Sequence, residues 1–436
     1  MSEMIQTPDG WEVNTLKDLK IKLIDGDRGE NYPKENEFSD NGFCIFLSAK
    51  NVTKDGFKFS EIQFINKEKD EKLRKGKLEK EDIVLTTRGT VGNIAYFDNT
   101  INYNHIRINS GMILLRNENK SLETKYLHTF LKSNIFDNQI ANTVFGSAQP
   151  QLTVKEIEKF FICFPKEKKE QEKIAKILST LDKEIESTNR LIEKEKNIKT
   201  ALMQELLTNG IDKNGQIRTK ATHSYKESEL GLIPDEWEVV SLDQCSTITN
   251  SNVDKKSSPE EQEIKLCNYM DVYVNDEIDN SIDFMVATAT ELEIKKFTLK
   301  KDDVIITKDS ESPDDIGIPS YVAEDLKDVI CGYHLTMIRP KKNCYGKYLA
   351  LLLQGNYYKK YFGKLASGST RFALSLGTIS QALIALPSIT EQKQIAKILT
   401  TQDKKIQTEE TTLAKLKELK KGLMNDLLSG KVRVKI

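Results

Sequence analysis

Two long segments of the chain repeat apolar residues at alternating spacings of four and three positions. They run from about residue 168 to 207 and from about 389 to 428. This spacing places the apolar residues on one side of an α-helix, as in the seam of a coiled coil. Seven of ten positions are apolar in each segment, namely Ile174, Leu178, Leu181, Ile185, Ile192, Leu202 and Leu206 in the first and Ile395, Leu399, Ile406, Leu413, Leu416, Leu423 and Leu427 in the second.

Both segments carry start or stop signals of helices. Ser388 precedes Glu391 by three positions, which is the spacing of a capping box. Gly210 and Gly430 follow the segments where a glycine commonly ends a helix. Each helix would be about 60 Å long at 1.5 Å per residue, and neither could bury its apolar stripe alone. We therefore expect the two helices to pair, with packing on their own globular domains or on a second copy of the protein as alternatives.

The helices belong to a duplication that covers the whole chain. Residues 8–13 return at 234–239 with nearly the same sequence, and these two segments hold the only two tryptophans. Residues 82–86, 174–178 and 202–207 each return in similar form 221 positions later. A single offset over several matches indicates duplication, and the period is far longer than that of a solenoid. Each half is therefore a whole domain followed by a helix.

The segment before each helix has the pattern of a mixed α/β domain. Short β-branched runs at 83–87 and 304–307 suit buried strands, and frequent Gly, Asn, Asp and Ser residues indicate many loops. The predicted fold class is α+β, with two pseudo-symmetric globular domains separated by two long antiparallel coiled-coil helices. The predicted boundaries are 1–165 for the first domain, 166–210 for the first helix, 211–233 for a polar connector, 234–387 for the second domain and 388–436 for the second helix.

Composition limits the possible functions without selecting one. The chain has 65 Lys and Arg against 66 Asp and Glu, a net charge of −1, whereas nucleic-acid-binding proteins are usually basic. Its six cysteines include no C-x-x-C pair and are typical of reduced thiols. A polar N-terminus and the lack of a long apolar run predict a soluble cytoplasmic protein.

The usual catalytic and metal-binding patterns are missing from the sequence. None of the four histidines stands at metal-ligand spacing from a cysteine or another histidine. There is no phosphate-binding loop, no dinucleotide loop, no nucleophile elbow and no Asn/Asp-Pro-Pro-aromatic segment of amino-methyltransferases. We therefore expect a protein without catalytic residues, metal or cofactor. An enzyme with a degenerate site and a coiled-coil scaffold that binds protein instead of DNA are the alternatives.

The order of these motifs resembles that of specificity subunits of Type I restriction-modification systems. A Trp-Glu-Val segment opens each half. A Gln-x-x-Ile-Ala-x-Ile-Leu segment then opens each helix, at 171–178 and 392–399, and Leu-Met-x-x-Leu-Leu introduces its end, within 202–210 and 423–434. The beginning of the second half, 231–239, is also characteristic. The resemblance covers essentially the whole chain, and the duplicated order is far more specific than any single motif.

The resemblance implies how the parts would work. Each globular part would be a target-recognition domain that reads one half of a split double-stranded DNA sequence. The helices, which are the conserved regions of the family, would fix the gap and dock two modification (adenine methyltransferase) subunits. Restriction subunits with ATP-driven translocation would join the complex, although a system that only methylates is equally compatible. Methyltransferase subunits that clamp the DNA backbone would partly explain the near-neutral charge.

Candidate DNA contacts are polar residues in segments where the two halves diverge. Arg and Lys suit guanine, Asn and Gln suit adenine, and glycines permit close approach to phosphate. The candidates are Thr87, Arg88, Gly89, Thr90 and Asn93 against Lys308 and Ser310; Ser147, Gln149 and Gln151 against Ser369, Thr370 and Arg371, in a loop that lies near DNA in the family; His105 and Arg107 against His334; and Lys255 with Lys256. The alternatives are surface turns for the loops, structural histidines for the third pair and a solvated loop for the lysines.

Overall fold

The computed structural model describes residues 8–144 and 151–436. The chain divides into two compact units: unit 1 comprises Met1–Arg190 and Thr411–Ile436, and unit 2 comprises Leu191–Glu410. Each unit contains one globular domain, the start of the long helix that follows this domain, and the end of the other long helix. Within the described ranges, no helix has the length and apolar character that crossing a membrane requires.

Strands and helices alternate through both halves of the chain. In the first half the strands are β1 (Trp11–Thr15), β2 (Lys22–Asp25), β3 (Cys44–Phe46), β4 (Val52–Thr53), β5 (Gly56–Phe57), β6 (Phe64–Ile65), β7 (Ile83–Thr86), β8 (Ile94–Tyr96), β9 (Ile106–Arg107), β10 (Met112–Arg116) and β11 (Phe161–Pro165). The helices of this half are α1 (Lys67–Lys72), α2 (Thr124–Leu131), α3 (Asn134–Val144), α4 (Val154–Ile157) and α5 (Lys168–Thr208).

The second half repeats this alternation. Its strands are β12 (Tyr225–Ser228), β13 (Gly231–Pro234), β14 (Glu238–Ser241), β15 (Ser246–Asn250), β16 (Gln262–Cys267), β17 (Glu277–Ile278), β18 (Met285–Ala289), β19 (Val304–Thr307), β20 (Asp309–Ser310), β21 (Pro319–Val322), β22 (Val329–Cys331), β23 (Leu335–Pro340), β24 (Phe372–Ala373) and β25 (Leu383–Leu386). Its helices are α6 (Leu242–Cys245), α7 (Tyr269–Tyr273), α8 (Glu291–Phe297), α9 (Gly346–Leu353), α10 (Asn356–Leu365), α11 (Leu376–Ser380) and α12 (Ile389–Leu428). Short 3₁₀ turns occupy Glu35–Glu37, Ala49–Asn51 and Pro313–Asp315.

The first globular domain is centred on an antiparallel sheet with the strand order β2-β10-β7-β8. A smaller sheet, β6-β3-β9, accompanies it, and the ribbon β1-β11 joins the beginning of the domain to its end. Strand β7 is buried along its whole length. Ile83 and Leu85 belong to a core that includes residues of α2 and α5, whereas Val84 belongs to a core that includes residues of β3 and β9. Both faces are apolar because alternate side chains of a strand point in opposite directions.

The second globular domain repeats this plan with additional strands. Its central sheet has the order β15-β23-β19-β21-β17, and its smaller sheet has the order β18-β16-β22. Strand β19 is buried throughout: Val304 and Ile306 pack with residues of α9 and α12, and Ile305 packs with residues of β16 and β22. The two short β-branched runs are therefore buried strands, as predicted, and each separates two apolar cores.

The two long helices match the segments predicted from the apolar spacing, 168–207 and 389–428, to within one residue, whereas the predicted boundary 388–436 extends eight residues beyond the end of α12. All positions of the predicted seam are buried or half-buried along both helices. In unit 2, the carboxylate of Glu195 accepts hydrogen bonds from Gln402 and Lys405, both at 2.8 Å. In unit 1, Asp182 forms an ion pair with Lys420. Within unit 2, Lys199 pairs with Asp403 and Lys196 with Glu410. The residue number on α12 rises as that on α5 falls, so the two helices pack together there in antiparallel orientation.

The start of α12 differs in one respect from the predicted capping box. Ser388 Oγ accepts a hydrogen bond from the backbone N–H of Glu391 at 3.3 Å, as expected. The Glu391 carboxylate, however, accepts hydrogen bonds from Arg218 at 2.5 and 3.1 Å, from the Ile211 N–H at 3.0 Å and from Trp237 Nε1 at 3.3 Å. Glu391 thus connects the start of α12 to the segment that follows α5.

Unit 1 contains the corresponding arrangement at the start of α5. The buried Glu170 carboxylate accepts two hydrogen bonds from Arg433, at 2.6 and 2.7 Å, and the Arg433 guanidinium lies 6.0 Å from the Trp11 ring. We call the trio Trp237, Arg218 and Glu391, and its counterpart Trp11, Arg433 and Glu170, the helix-end clamps. Each clamp holds the segment after one long helix against the start of the other.

A glycine at each clamp satisfies two requirements at once. Gly210 has φ +63° and Gly430 has φ +73°, a backbone conformation that side chains disfavour. A Cβ at Gly210 would lie 2.4 Å from Trp237, and one at Gly430 would lie 3.1 Å from Trp11. These glycines therefore end the helices, as predicted, and also leave room for the tryptophans.

We expect Arg218→Ala to lower the free energy of unfolding by about 3–5 kcal/mol, because the Glu391 charge would stay buried without its main partner. The Arg218 and Glu391 side chains are 4% and 9% exposed, respectively. Urea denaturation followed by tryptophan fluorescence measures the loss, since Trp237 donates to the same carboxylate.

Lys196→Ala provides the matched control in the same unit. Lys196 pairs with Glu410 at 2.6 Å, but the two side chains are 56% and 47% exposed. An exposed pair of this kind contributes at most about 1 kcal/mol. Similar losses of unfolding free energy in the two variants would contradict the large contribution assigned to the Arg218–Glu391 pair.

Candidate nucleic-acid interface

The loop after β7 is closed by a side chain of the strand itself. Thr86 Oγ1 accepts a hydrogen bond from the Asn93 N–H at 2.9 Å, and the Thr86 carbonyl accepts one from the Gly92 N–H at 3.0 Å. In the second half, Thr307 Oγ1 accepts from the Ile318 N–H at 3.0 Å. The equivalent threonine of each half, Thr86 or Thr307, therefore closes the loop after its strand, although the loop residues differ between the halves.

Two candidate segments of the first half meet beside this loop. The Thr87 N–H donates to the Gly111 carbonyl at 2.8 Å, and the Thr87 carbonyl accepts from the Leu152 N–H at 3.0 Å. Arg88 and Gln151 then face each other across an antiparallel bridge. Both side chains are exposed, so an arginine and a glutamine lie next to each other on the surface of unit 1.

The other candidates in this loop differ in how accessible they are. Gly89 has φ +74°, and apart from its chain neighbours no atom of the described residues lies within 4 Å of the position its Cβ would take. Thr90 is exposed, and its carbonyl accepts a hydrogen bond from Thr86. The Asn93 amide instead donates to the Val52 carbonyl at 2.8 Å. Arg88, Gly89 and Thr90 thus form the exposed part of the loop, whereas Asn93 supports it from inside.

The structure changes the interpretation of Arg107. Its guanidinium is 6% exposed and donates to the Asp70 carboxylate at 2.5 Å and to the carbonyls of Asp70, Lys75 and Leu73 at 2.7 to 3.0 Å. These bonds use four of its five donors inside the domain, so most of the guanidinium faces the protein interior. The half-buried ring of His105 stacks on the exposed Phe43, with 4.1 Å between the ring centroids. Ser147 and Gln149 lie outside the described residues.

Three candidate segments of the second half converge in unit 2. The Lys308 N–H donates to the His334 carbonyl at 3.0 Å, and the Lys308 carbonyl accepts from the Leu374 N–H at 2.8 Å. Strand β20 pairs with β24, which places Asp309 opposite Ala373. These contacts repeat those around Thr87, so the same backbone frame supports both candidate surfaces.

Asp309 lies at the centre of the second surface. Its side chain is 13% exposed; one oxygen lies 2.8 Å from His334 Nδ1 and the other lies 3.6 Å from Arg371 Nη2. The Lys308 ammonium lies 4.3 Å from the centre of the exposed Tyr333 ring, and burial lowers the pKa of Lys308. His334 and Arg371 therefore flank the Asp309 carboxylate, and the chain neighbours of Asp309 and His334 contribute the Lys308–Tyr333 contact.

The remaining candidates of the second half lie at varying depths. Ser369 and Thr370 are exposed in the turn that leads to Arg371, whereas Ser310 is 9% exposed. Lys255 lines a cavity of about 80 Å³. Lys256 is exposed, and its N–H donates to Asp254. The other lining residues of the cavity are Val253, Asp254, Leu266, Asn268, Tyr269, Gly332, Tyr333 and His334.

Two residues near these surfaces were missed by sequence reasoning. Asp309 stands 221 positions after Arg88, so the repeat offset could have indicated that it occupies the equivalent place. Arg28 lies three residues after β2, and its side chain is exposed. It donates a hydrogen bond to the Ser110 carbonyl at 3.2 Å. Ser110 adjoins Gly111, which accepts from the Thr87 N–H. No motif or repeat in the sequence singles out Arg28.

Both halves of the chain match a known family. The family model described as the Type I restriction modification DNA specificity domain matches residues 8–196 and again residues 234–418. The specificity subunit of the Type I restriction enzyme MjaVIII from Methanocaldococcus jannaschii is 27% identical over 436 residues, covering 99% of this chain and 95% of that protein. The putative MjaX specificity subunit of the same organism is 26% identical, covering 100% and 96%.

Solved structures show the same fold at low sequence identity. The S subunit of a Type I restriction-modification system from M. genitalium has a TM-score of 0.57 at 17% identity, covering 98% of both chains. A structure from a study of complex assembly and conformational transition of the type I R-M system has a TM-score of 0.54 at 16% identity, covering 98% of this chain and 100% of that one. The chain therefore belongs to the Type I restriction-modification specificity family and is a DNA specificity subunit, a non-catalytic component with two target-recognition domains.

Proposed function

We propose that the two target-recognition domains, residues 1–165 and 234–387, each read one half of a bipartite double-stranded DNA target. Support comes from the loops after β7 and β19, which have the same backbone frame but different side chains. The first presents Arg88 beside Gln151, and the second presents Lys308 beside Asp309 and Arg371. Since base identity is read by the pattern of donors and acceptors, equal frames with unequal side chains suit two different half-sites.

The helices, with proposed bounds 166–210 and 388–436, would set the gap between the half-sites, and residues 211–233 would connect the halves. They would also dock two modification subunits, which restriction subunits join. One protein of similar fold was solved in work on complex assembly of the type I R-M system. Apolar side chains outside the seam support a docking role. In unit 2, Leu191 and Ile198 are both 37% exposed on α5, two helical turns apart and therefore on one face.

The near-neutral charge of this chain is compatible with the proposed function if partner subunits also contact the DNA backbone. The exposed cations near the two surfaces include Arg28, Arg88, Lys256 and Arg371, and phosphate contacts of this kind make binding salt-dependent. The modification subunits would supply the remaining contacts. Because the substrate is the DNA of the cell, we expect the complex to work in the cytoplasm, where its six free, buried cysteines stay reduced.

Deleting this chain from cells that keep its modification subunits should abolish methylation at one split motif. Methylome sequencing with and without the chain is the direct measurement. We expect a bipartite adenine-methylated motif that disappears on deletion and returns on complementation, because the chain supplies the only sequence reading in the complex. A motif that persists without the chain, with the modification subunits verified by immunoblot, would overturn the proposed function.

Gly89→Ala should weaken binding of the assembled complex to a duplex with this motif by about tenfold, the effect of losing one charge-assisted hydrogen bond to phosphate. Apart from its two chain neighbours, no described residue lies within 4 Å of the added methyl group, which would therefore face the DNA backbone. Fluorescence anisotropy with labelled duplex measures the change.

Gly215→Ala is the matched control for backbone strain. Gly215 has φ +79° and equally open space around its Cβ position, but it lies in the connector. Both variants should lose about 1–2 kcal/mol of stability, the cost of a left-handed backbone, and only Gly89→Ala should weaken binding. Equal binding by the two variants would remove the Gly89 loop from the interface.

A further inference from the structure

The guanidinium of Arg371 combines high exposure with a fixed position. Its side chain is 65% exposed, and across the described residues its ion-pair partner is Asp309, at 3.6 Å. The turn before it is tight: Gly368 has φ +142°, and a Cβ there would lie 1.9 Å from the Arg371 carbonyl. Two backbone hydrogen bonds close this turn. The Ser367 N–H donates to the Ala373 carbonyl, and the Ala373 N–H donates to the Ser367 carbonyl.

Asp309 is anchored more firmly than the arginine it faces. It belongs to β20, which pairs with β24 immediately after Arg371. Its second oxygen is engaged by His334, at 2.8 Å. A mostly buried carboxylate thus limits the directions available to an exposed guanidinium, and limiting these directions before binding reduces the entropy lost on binding.

We propose that Arg371 reads a guanine in the second half-site and that Asp309 is the positioning residue that orients it; this inference rests on the proposed function. The guanidinium carries donors in a planar fork that matches O6 and N7 of guanine in the major groove. The single ion pair to Asp309 leaves the rest of the fork open.

In the sequence of the first half, Gln149 and Arg88 stand where the second half has Arg371 and Asp309. Arg88 takes the position of Asp309. Arg88 pairs with Gln151 in the first half, and Asp309 pairs with Ala373 at the equivalent place in the second half. The orienting carboxylate is therefore specific to the second domain. Arg371 should affect the second half-site alone, and Arg88 the first.

The test measures the affinity of the complex assembled with its modification subunits for duplexes carrying the methylome motif. Each guanine of the second half-site, on either strand, is replaced in turn by 7-deazaguanine, which lacks only the N7 acceptor. We expect one replacement to weaken wild-type binding by about tenfold or more, within the range of one bidentate contact. Arg371→Ala should bind the normal and the modified duplex equally. Arg371→Lys should keep part of the discrimination.

Asp309→Asn separates positioning from general support of the fold. We expect it to reduce severalfold the ratio of the affinities for the normal and the 7-deazaguanine duplex. Discrimination at the first half-site should not change. A purely structural role would weaken binding to all duplexes alike and lower the melting temperature. Asp309→Glu should restore part of the ratio, because it keeps the carboxylate.

Arg88→Ala is the matched control, since it should relax only the first half-site. A second half-site without any G·C pair, or one in which no 7-deazaguanine changes wild-type binding, would overturn the assignment of Arg371. Either result leaves the proposed function intact, because the motif itself would still be bound. Failure of the wild-type complex to prefer its motif over unrelated duplex would count against the proposed function instead.

Discussion

A buried carboxylate at the start of each long helix is the constraint on which both units depend. Glu170 and Glu391 are removed from water, and burying a charge is costly unless a partner is present. The partner, Arg433 or Arg218, comes from the segment after the other helix. A unit is therefore complete only when the end of one helix reaches the start of the other, and a tryptophan completes each contact. This requirement explains why each compact unit combines distant parts of the chain.

The structure also separates what is constant between the domains from what varies. In each domain a four-residue strand lies between two apolar cores and ends in a threonine whose hydroxyl closes the next loop. In the first loop the bonds to Thr86 involve only the backbone of Thr90, Gly92 and Asn93, so the loop side chains take no part in this closure. Arg88 can therefore correspond to Asp309 in the other half without any change in the frame that supports them. Two domains with one fold but different DNA half-sites would need this independence.

The sequence was informative where structure depends on local spacing. The bounds of α5 and α12, the glycines that end them and the strands β7 and β19 follow from apolar period and turn residues, so they could be predicted. Contacts between distant residues could not. Glu391 fits a capping box by spacing, yet its carboxylate binds Arg218, 173 positions away. Arg107 is an attractive DNA contact by residue type, but Asp70 and three backbone carbonyls hold it inside the domain. The repeat offset indicates the place of Asp309, but its contacts with His334 and Arg371 depend on the pairing of β20 with β24.

The two helix-end clamps differ in how they are distributed along the gene. Arg218, Trp237 and Glu391 all lie within one continuous stretch, whereas Trp11, Glu170 and Arg433 come from both sides of it. Recombination that replaced the stretch from the connector to the start of α12 would import a reading domain together with its entire clamp. The receiving chain would keep its own clamp, because none of those three residues would be exchanged. A lineage would in this way acquire a new second half-site in one genetic event with both clamps intact.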